Sequence, residues 1–131
     1  MLKQAPKYAV KKPVVYYGSS ITQGACASRP GNCYESILSR RLDCDYINLG
    51  FSGSAKGEDA IVDYIIGLDM SVFVMDYDYN APTPEHLEKT HSKMFKAIRA
   101  EHPTLPIIIM PRPKFYLNAG QKAMVDIVHN T

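Results

Sequence analysis

Apolar runs of strand length alternate along this chain with segments whose apolar residues recur at helical spacing. Val14-Val15-Tyr16-Tyr17 is a β-branched and aromatic run closed by Gly18, the expected first strand. After the turn Pro30-Gly31-Asn32, residues 34–42 place Tyr34, Ile37, Leu38 and Leu42 on one helical face. Tyr46-Ile47-Asn48-Leu49 reads as a second strand and runs into the glycine-rich Gly50-Phe51-Ser52-Gly53. Residues 60–68 carry Ile61, Ile65 and Leu68 at helical spacing, and Val72-Phe73-Val74-Met75 is a third strand. Thr83-Pro84-Glu85 has the chemistry of a helix start. Thr83 is the N-cap, Pro84 occupies the first helical position, and Glu85 favours the positive end of the dipole. That helix continues through Leu87, His91, Met94, Phe95 and Ile98 and stops before Pro103. Pro106-Ile107-Ile108-Ile109-Met110 is a fourth strand. Residues 119–129 follow as a helix striped by Ala123 and Ile127, with Met124 and Val128 beside them.

The alternation of strand and helix predicts a parallel sheet with helices on both faces, because parallel neighbours require crossover connections. Strands two to four are nearly continuous apolar runs, as expected when both faces are covered. A chain of 131 residues is enough for one core and too short for two, so residues 1–131 are read as a single α/β domain. No repeat or low-complexity tract interrupts it.

Composition narrows the function classes only a little. Fifteen basic and thirteen acidic residues leave a net charge of +2, which calls for no polyanionic partner. Lys3, Lys7, Lys11 and Lys12 crowd the start, and a solvated leader before the first strand explains them better than a nucleic-acid arm. No apolar run reaches membrane-spanning length, and the lysine-rich start has no apolar stretch after it, so no signal peptide is expected in this chain. Cys26, Cys33 and Cys44 form no Cys-x-x-Cys pair, which argues against a structural metal. Cys26 and Cys33 could be bridged in an oxidising compartment, but three ordinary thiols are the simpler expectation.

In an open parallel sheet, ligands bind beyond the carboxyl ends of the strands. That rule selects the loops 18–24, 50–57 and 76–82. The first offers Ser19, Ser20 and Thr22 as hydroxyl nucleophiles, the second offers flexible backbone N–H groups, and the third offers the neutral donor Asn80. A nucleophile, backbone donors and an amide donor converging on one edge is what acyl transfer requires. Each has an ordinary reading too. Ser20 could cap a helix, Gly53 could permit a tight loop, and Asn80 could end a strand before Ala81-Pro82.

Three blocks in order carry a resemblance. Gly18-Ser19-Ser20-Ile21-Thr22 resembles the first block of the SGNH (GDSL-type) serine hydrolases, with the nucleophile at its third position. Asn48-Leu49-Gly50-Phe51-Ser52-Gly53 resembles the second block, whose last glycine donates to an oxyanion hole. Asp78-Tyr79-Asn80 falls where the third block supplies a donor asparagine. The stretch 18–48, with Thr22-Gln23-Gly24-Ala25-Cys26-Ala27-Ser28-Arg29-Pro30-Gly31, is similar to the bacterial esterases of SGNH-hydrolase type, and the likeness covers about residues 13–130.

The resemblance implies a three-layer α/β/α, flavodoxin-like fold with parallel strands in the order 2-1-3-4. It also implies a serine esterase without cofactor or metal. Ser20 would form the acyl-enzyme, and the N–H groups of Ser20 and Gly53, with the Asn80 side chain, would stabilise the oxyanion. Small-molecule or carbohydrate acyl esters, O-acetyl esters foremost, are the substrates it suggests, and a parent protein of this kind can be secreted or periplasmic. Two departures stand out. Ser19 replaces an aspartate, and Asp78 and Ala81 replace the glycine and aspartate of the third block. A carboxylate at Asp78 would oppose an oxyanion unless it points away.

The family's Asp-x-x-His pair has one spacing match here, Asp126-Ile127-Val128-His129, but it falls inside a helical pattern with no loop-forming glycine or proline. His86 and His102 belong to the first and last turns of a helix, and His91 shares its apolar face. The expectation is therefore a domain cut before its last family strand and its Asp-x-x-His loop. The strand through Ile107 and Met110 would then be an edge prone to self-pairing. The competing readings are a noncatalytic ester- or carbohydrate-binding remnant and a phosphate-binding α/β module built on residues 18–24.

Overall fold

A computed structural model describes residues 7–131; residues 1–6, with Lys3, lie outside the described part. Four parallel strands, β1 (Val10–Gly18), β2 (Cys44–Gly50), β3 (Val72–Asp76) and β4 (Ile107–Ile109), are ordered β2-β1-β3-β4. Between and after them run α1 (Ser20–Gln23), α2 (Tyr34–Leu42), α3 (Asp59–Ile66), α4 (Pro84–Glu101) and α5 (Ala119–His129). This is a three-layer α/β/α arrangement.

Side-chain alternation along the strands sorts the two layers. Val15, Tyr17, Phe73 and Met75 point to one face, where Val62 and Ile65 of α3, Leu87, Met94 and Ile98 of α4, and Met124 and Val128 of α5 complete the main core. Val14, Tyr16 and Val74 point to the other, where Tyr34 and Leu38 of α2 cover them. β4 extends the pattern. Ile107 and Ile109 pack on the main core, while Ile108, on the thinly covered face, is 50% exposed.

The caps form as the sequence predicts at α4. Thr83 accepts the His86 N–H at 3.2 Å and Pro84 leads the helix. At α5, Asn118 and Gln121 close a reciprocal capping box. Two expectations change. Lys11 and Lys12 are exposed residues of β1, which starts at Val10, four residues before the apolar run. On α2, Ile37 and Leu42 are exposed and Glu35, Ser36 and Ser39 are buried. Small hydroxyl side chains fit close to the sheet there, where Ser39 donates to the Cys44 carbonyl at 2.6 Å and Ser36 shares a 2.7 Å bond with the Tyr46 hydroxyl. All three cysteines are free thiols.

Candidate active site

Three loops meet at the carboxyl edge of the sheet, and backbone geometry forces the meeting. Gly18, ending β1, faces Thr22 and the Asp76 carbonyl so closely that a Cβ would lie 2.0 and 2.5 Å from them. Gly50, ending β2, would place a Cβ 2.1 Å from the Gln23 nitrogen. Only glycine permits α1 to sit this low between the two strand ends. The loop 51–57 is then sewn down. Phe51 N–H donates to the Gly18 carbonyl at 2.9 Å, Ser52 N–H to Gln23 Oε1 at 3.0 Å, and Gly57 N–H to the Tyr17 hydroxyl at 2.9 Å. From the third loop, Asn80 Nδ2 donates to the Phe51 carbonyl at 2.7 Å.

The three hydroxyls of the first loop have separate fates. Ser19 is buried and is the N-cap of α1, its Oγ accepting the Ile21 N–H at 3.2 Å. This supplies the cap that a sequence reading would also allow Ser20 to provide. Thr22 is buried, and its Oγ1 donates to Asp76 Oδ2 at 3.2 Å. Ser20, half-buried at the first position of α1, has no hydrogen-bond partner for its hydroxyl among the described residues. Its N–H and that of Gly53 likewise have no acceptor there. Gly53 has φ +70° and nothing within 4 Å of its Cβ position, so a side chain there would meet open space. Asn80 uses one of its two amide hydrogens on Phe51 and keeps the other.

Asp78, whose charge could have opposed an oxyanion, is 1% exposed and ion-paired to Arg112, with Nε 2.9 Å from Oδ2. Beneath Ser19 the Asp76 carboxyl is buried, and desolvation pushes its pKa up to about 7; Asp78 and Glu35 add to the rise while the Thr22 hydrogen bond opposes it. Glu35 is fully buried with neither carboxyl oxygen hydrogen-bonded, and burial raises its pKa. Burial thus disfavours the charged form of both acids.

None of the four histidines hydrogen-bonds to Ser20 among the described residues. His86 Nε2 lies 2.8 Å from the Lys56 carbonyl and ties α4 to the second loop, a more buried role than its place in a first helical turn suggests. His91 is buried, shares a 2.6 Å bond with Thr131 Oγ1, and is held neutral by desolvation with its pKa near 4. His102 meets the Ile66 carbonyl at 2.8 Å. His129 and Asp126 are both exposed on α5, opposite the inward Met124 and Val128, and Asp126 pairs with Lys122 at 3.1 Å. The structure therefore brings Ser20, Gly53 and Asn80 to one edge and leaves Asp126 and His129 on the solvent side of α5.

Two recesses flank this edge. One, about 520 Å³, has a mixed lining in which Gln23, Ser28, Arg29, Tyr46 and Asn48 sit among Ala27, Pro30 and Cys33. The other, about 370 Å³, is mostly apolar, lined by Tyr17, Phe51, Ser54, Ala60 and Ile61, with Glu58 beside them. No cluster of three or more metal-ligating side chains occurs among the described residues.

Residues with little or no signal of their own in the sequence hold these loops in place. Asn48 donates to the Thr22 carbonyl at 2.7 Å and accepts the Gly50 N–H at 2.9 Å, stapling β2 to α1. Its place inside the second block was the one signal for it. Asp76 and Arg112 had no local signal, since their partners Thr22 and Asp78 lie 54 and 34 residues away.

Comparisons with known proteins agree with this geometry. The GDSL-like lipase/acylhydrolase family model matches residues 11–131. A protein from Bacteroides ovatus described as a GDSL-like lipase superposes with a TM-score of 0.79 at 32% identity, covering 92% of this chain and 37% of its own. The salicylyl-acyltransferase SsfX3 of a tetracycline biosynthetic pathway superposes at 0.76 with 17% identity, over 93% of this chain and 38% of that one. AlinE4, an SGNH-hydrolase family esterase, superposes at 0.66 with 15% identity, over 95% and 70%. The chain thus spans little more than a third of the first two. No curated protein matches the sequence. A family match across nearly the whole chain, joined to the strand order and the three edge loops, decides the assignment: the chain belongs to the GDSL-like lipase/acylhydrolase family.

Proposed function

We propose that this domain carries the nucleophile and oxyanion hole of a serine esterase, with Ser20 forming the acyl-enzyme. The observation that carries the reading is the free Ser20 hydroxyl at the start of α1, beside two N–H groups without acceptors and the spare amide hydrogen of Asn80. Attack by Ser20 Oγ on an ester carbonyl turns its oxygen into an oxyanion, which the N–H groups of Ser20 and Gly53 and the Asn80 amide receive. Collapse expels the alcohol, and water releases the acid. A base must take the Ser20 proton, and Asp126 and His129 do not reach it from the solvent side of α5. His86, His91 and His102 are each bonded elsewhere, so no described histidine is placed to act as that base in this arrangement.

The mixed recess beside Asn48 and Arg29 offers hydrogen-bonding groups to a hydroxyl-rich alcohol such as a carbohydrate, and the mostly apolar one beside Phe51 suits the acyl group. O-acetyl esters of carbohydrates are the substrates proposed. A second copy of the chain, pairing along the outer edge of β4, is the partner proposed. A phosphate-cradling role is less favoured, because α1 has only four residues and Ser19 already caps it.

The test is labelling by a fluorophosphonate probe of the complete reading frame that contains these residues. Ser20-dependent labelling, lost in Ser20→Ala and reduced about 10²–10³-fold in Asn80→Ala, supports the reading. Labelling that survives Ser20→Ala overturns it by placing the reactive nucleophile elsewhere, and labelling that never occurs overturns it in favour of a noncatalytic binding remnant.

A further inference from the structure

Asn80 sits at the end of a single 3-10 turn, Asp78–Asn80. Two backbone bonds define that turn, Asn80 N–H to the Tyr77 carbonyl at 3.0 Å and Ala81 N–H to the Asp78 carbonyl at 3.3 Å. A turn this short has little stability of its own. Its hold comes from Arg112, on the loop after β4. Arg112 Nε donates to Asp78 Oδ2 at 2.9 Å, its backbone N–H to the same oxygen at 3.2 Å, and Nη2 to the Asp78 carbonyl at 2.8 Å. Nη2 also reaches Met124 Sδ of α5 at 2.9 Å, and the guanidinium lies 4.9 Å from the centre of the Tyr79 ring. One side chain thus grips the carboxylate, the carbonyl and the next aromatic ring of the turn.

Both partners are nearly withdrawn from water, with side chains 6% and 1% exposed. Stability is a poor reason for such a pair, because two packed apolar side chains do as well. Geometry is a better one. The planar fork fixes distance and angle together, which an ammonium cannot do.

We propose that Arg112 and Asp78 are positioning residues that set the reach of Asn80 toward the oxyanion and cancel the carboxylate charge beside it. The proposal rests on the reading of Asn80 as an oxyanion donor. Arg112 adds three constraints to a turn that ends one residue before Ala81, and Asn80 in turn tethers the Phe51 carbonyl of the Gly53 loop. Loosening Arg112 therefore loosens two of the three donors at once.

The experiment pairs two readouts. Amide hydrogen exchange by NMR on this chain compares wild type with Arg112→Lys, which keeps the charge and loses the fork. Exchange at Asn80 and Ala81 should speed up by about tenfold or more, while Val15 and Phe73 in the central strands change much less. Equal acceleration everywhere, or none at Asn80, overturns the proposal. If Arg112→Lys does not fold, Asp78→Asn, nearly isosteric and neutral, takes its place, and the same two outcomes overturn the proposal. The second readout is fluorophosphonate labelling in the complete reading frame. Arg112→Lys should slow it about tenfold or more, and adding Asn80→Ala should cost no more than Asn80→Ala alone. Full additivity there overturns the positioning role. Labelling untouched by Asn80→Ala, with the turn still opened by Arg112→Lys, instead overturns the oxyanion reading and leaves Arg112 as a clamp without that purpose.

Discussion

The carboxyl edge of the sheet is tightly knit over β2, β1 and β3 and thinly furnished at β4. Over the first three strands, glycines at the strand ends admit α1, and side chains from all three loops cross-link one another. β4 has three residues, pairs only with β3 among the described strands, and leaves Ile108 half-exposed. Of the loop that follows it, Arg112 alone is buried, while Phe115 and Tyr116 are almost fully exposed. The hydroxyl, N–H and amide groups proposed to bind and polarise a carbonyl lie in the first region, and no histidine among the described residues, in either region, hydrogen-bonds to Ser20.

Breaking the knit region at its tightest point should have the largest effect. Gly50→Ala places a Cβ among backbone atoms of α1 that cannot move aside, and should cost about 3 kcal/mol or more in urea unfolding. Gly53→Ala, three residues on, meets no atom and suffers only its positive φ, a cost of about 1 kcal/mol. Similar losses for the two would mean that α1 does not sit as low as described.

The buried acids beneath this region give the next effect, read through pH. Asp76 holds its proton up to about pH 7 in the folded chain and only to its ordinary 3.8 when unfolded, so its contribution makes stability fall as pH rises between those values. Glu35 acts in the same direction. His91 does the opposite. Its folded pKa near 4 lies below the ordinary 6.5, so stability rises with pH across that interval. Asp76→Asn should therefore turn the stability slope between pH 4 and 6.5 more positive by about 1.4 kcal/mol per pH unit, measured by urea unfolding at several pH values. An unchanged slope would show that Asp76 is ionised in the folded protein.

How much of this was readable in advance follows the same division. The strands and most helices were legible because period-two and period-3.6 patterns are local, and the cap at Thr83-Pro84 is a signal three residues long. Ser20, Gly53 and Asn80 could be singled out because each sits in a short block at a strand end. The α2 face was misjudged for a physical reason. Periodicity marks apolar side chains, but the closest approach to β2 favours small hydroxyls that bond the strand, so Ser36 and Ser39 went in and Leu42 stayed out. Arg112 and Asp76 were illegible because a buried pair across 34 or 54 residues leaves no local trace.

At β4 the expected effects are smaller. Ile108→Lys should change stability by about 1 kcal/mol or less, because the side chain is already half in water. It places a charge on the strand proposed to pair with a second copy, so any concentration-dependent association seen by light scattering should fall. Association that persists unchanged would move the contact elsewhere on the surface.

The smallest expected effect separates the two regions most cleanly. Asp126 and His129 have the spacing of a catalytic pair but lie on the outward face of α5, where Asp126 makes only an exposed ion pair with Lys122 four residues earlier. Such pairs contribute about 0.3–0.5 kcal/mol. Asp126→Ala and His129→Ala should therefore each shift stability by about 0.5 kcal/mol or less, and neither should alter fluorophosphonate labelling at Ser20. For His129 to serve as base, α5 would have to leave the core, withdrawing Met124 and Val128 and parting Arg112 from Met124. A large loss of labelling in His129→Ala with stability unchanged would show that this rearrangement occurs, and the thinly furnished side of the edge would then hold the missing half of the site.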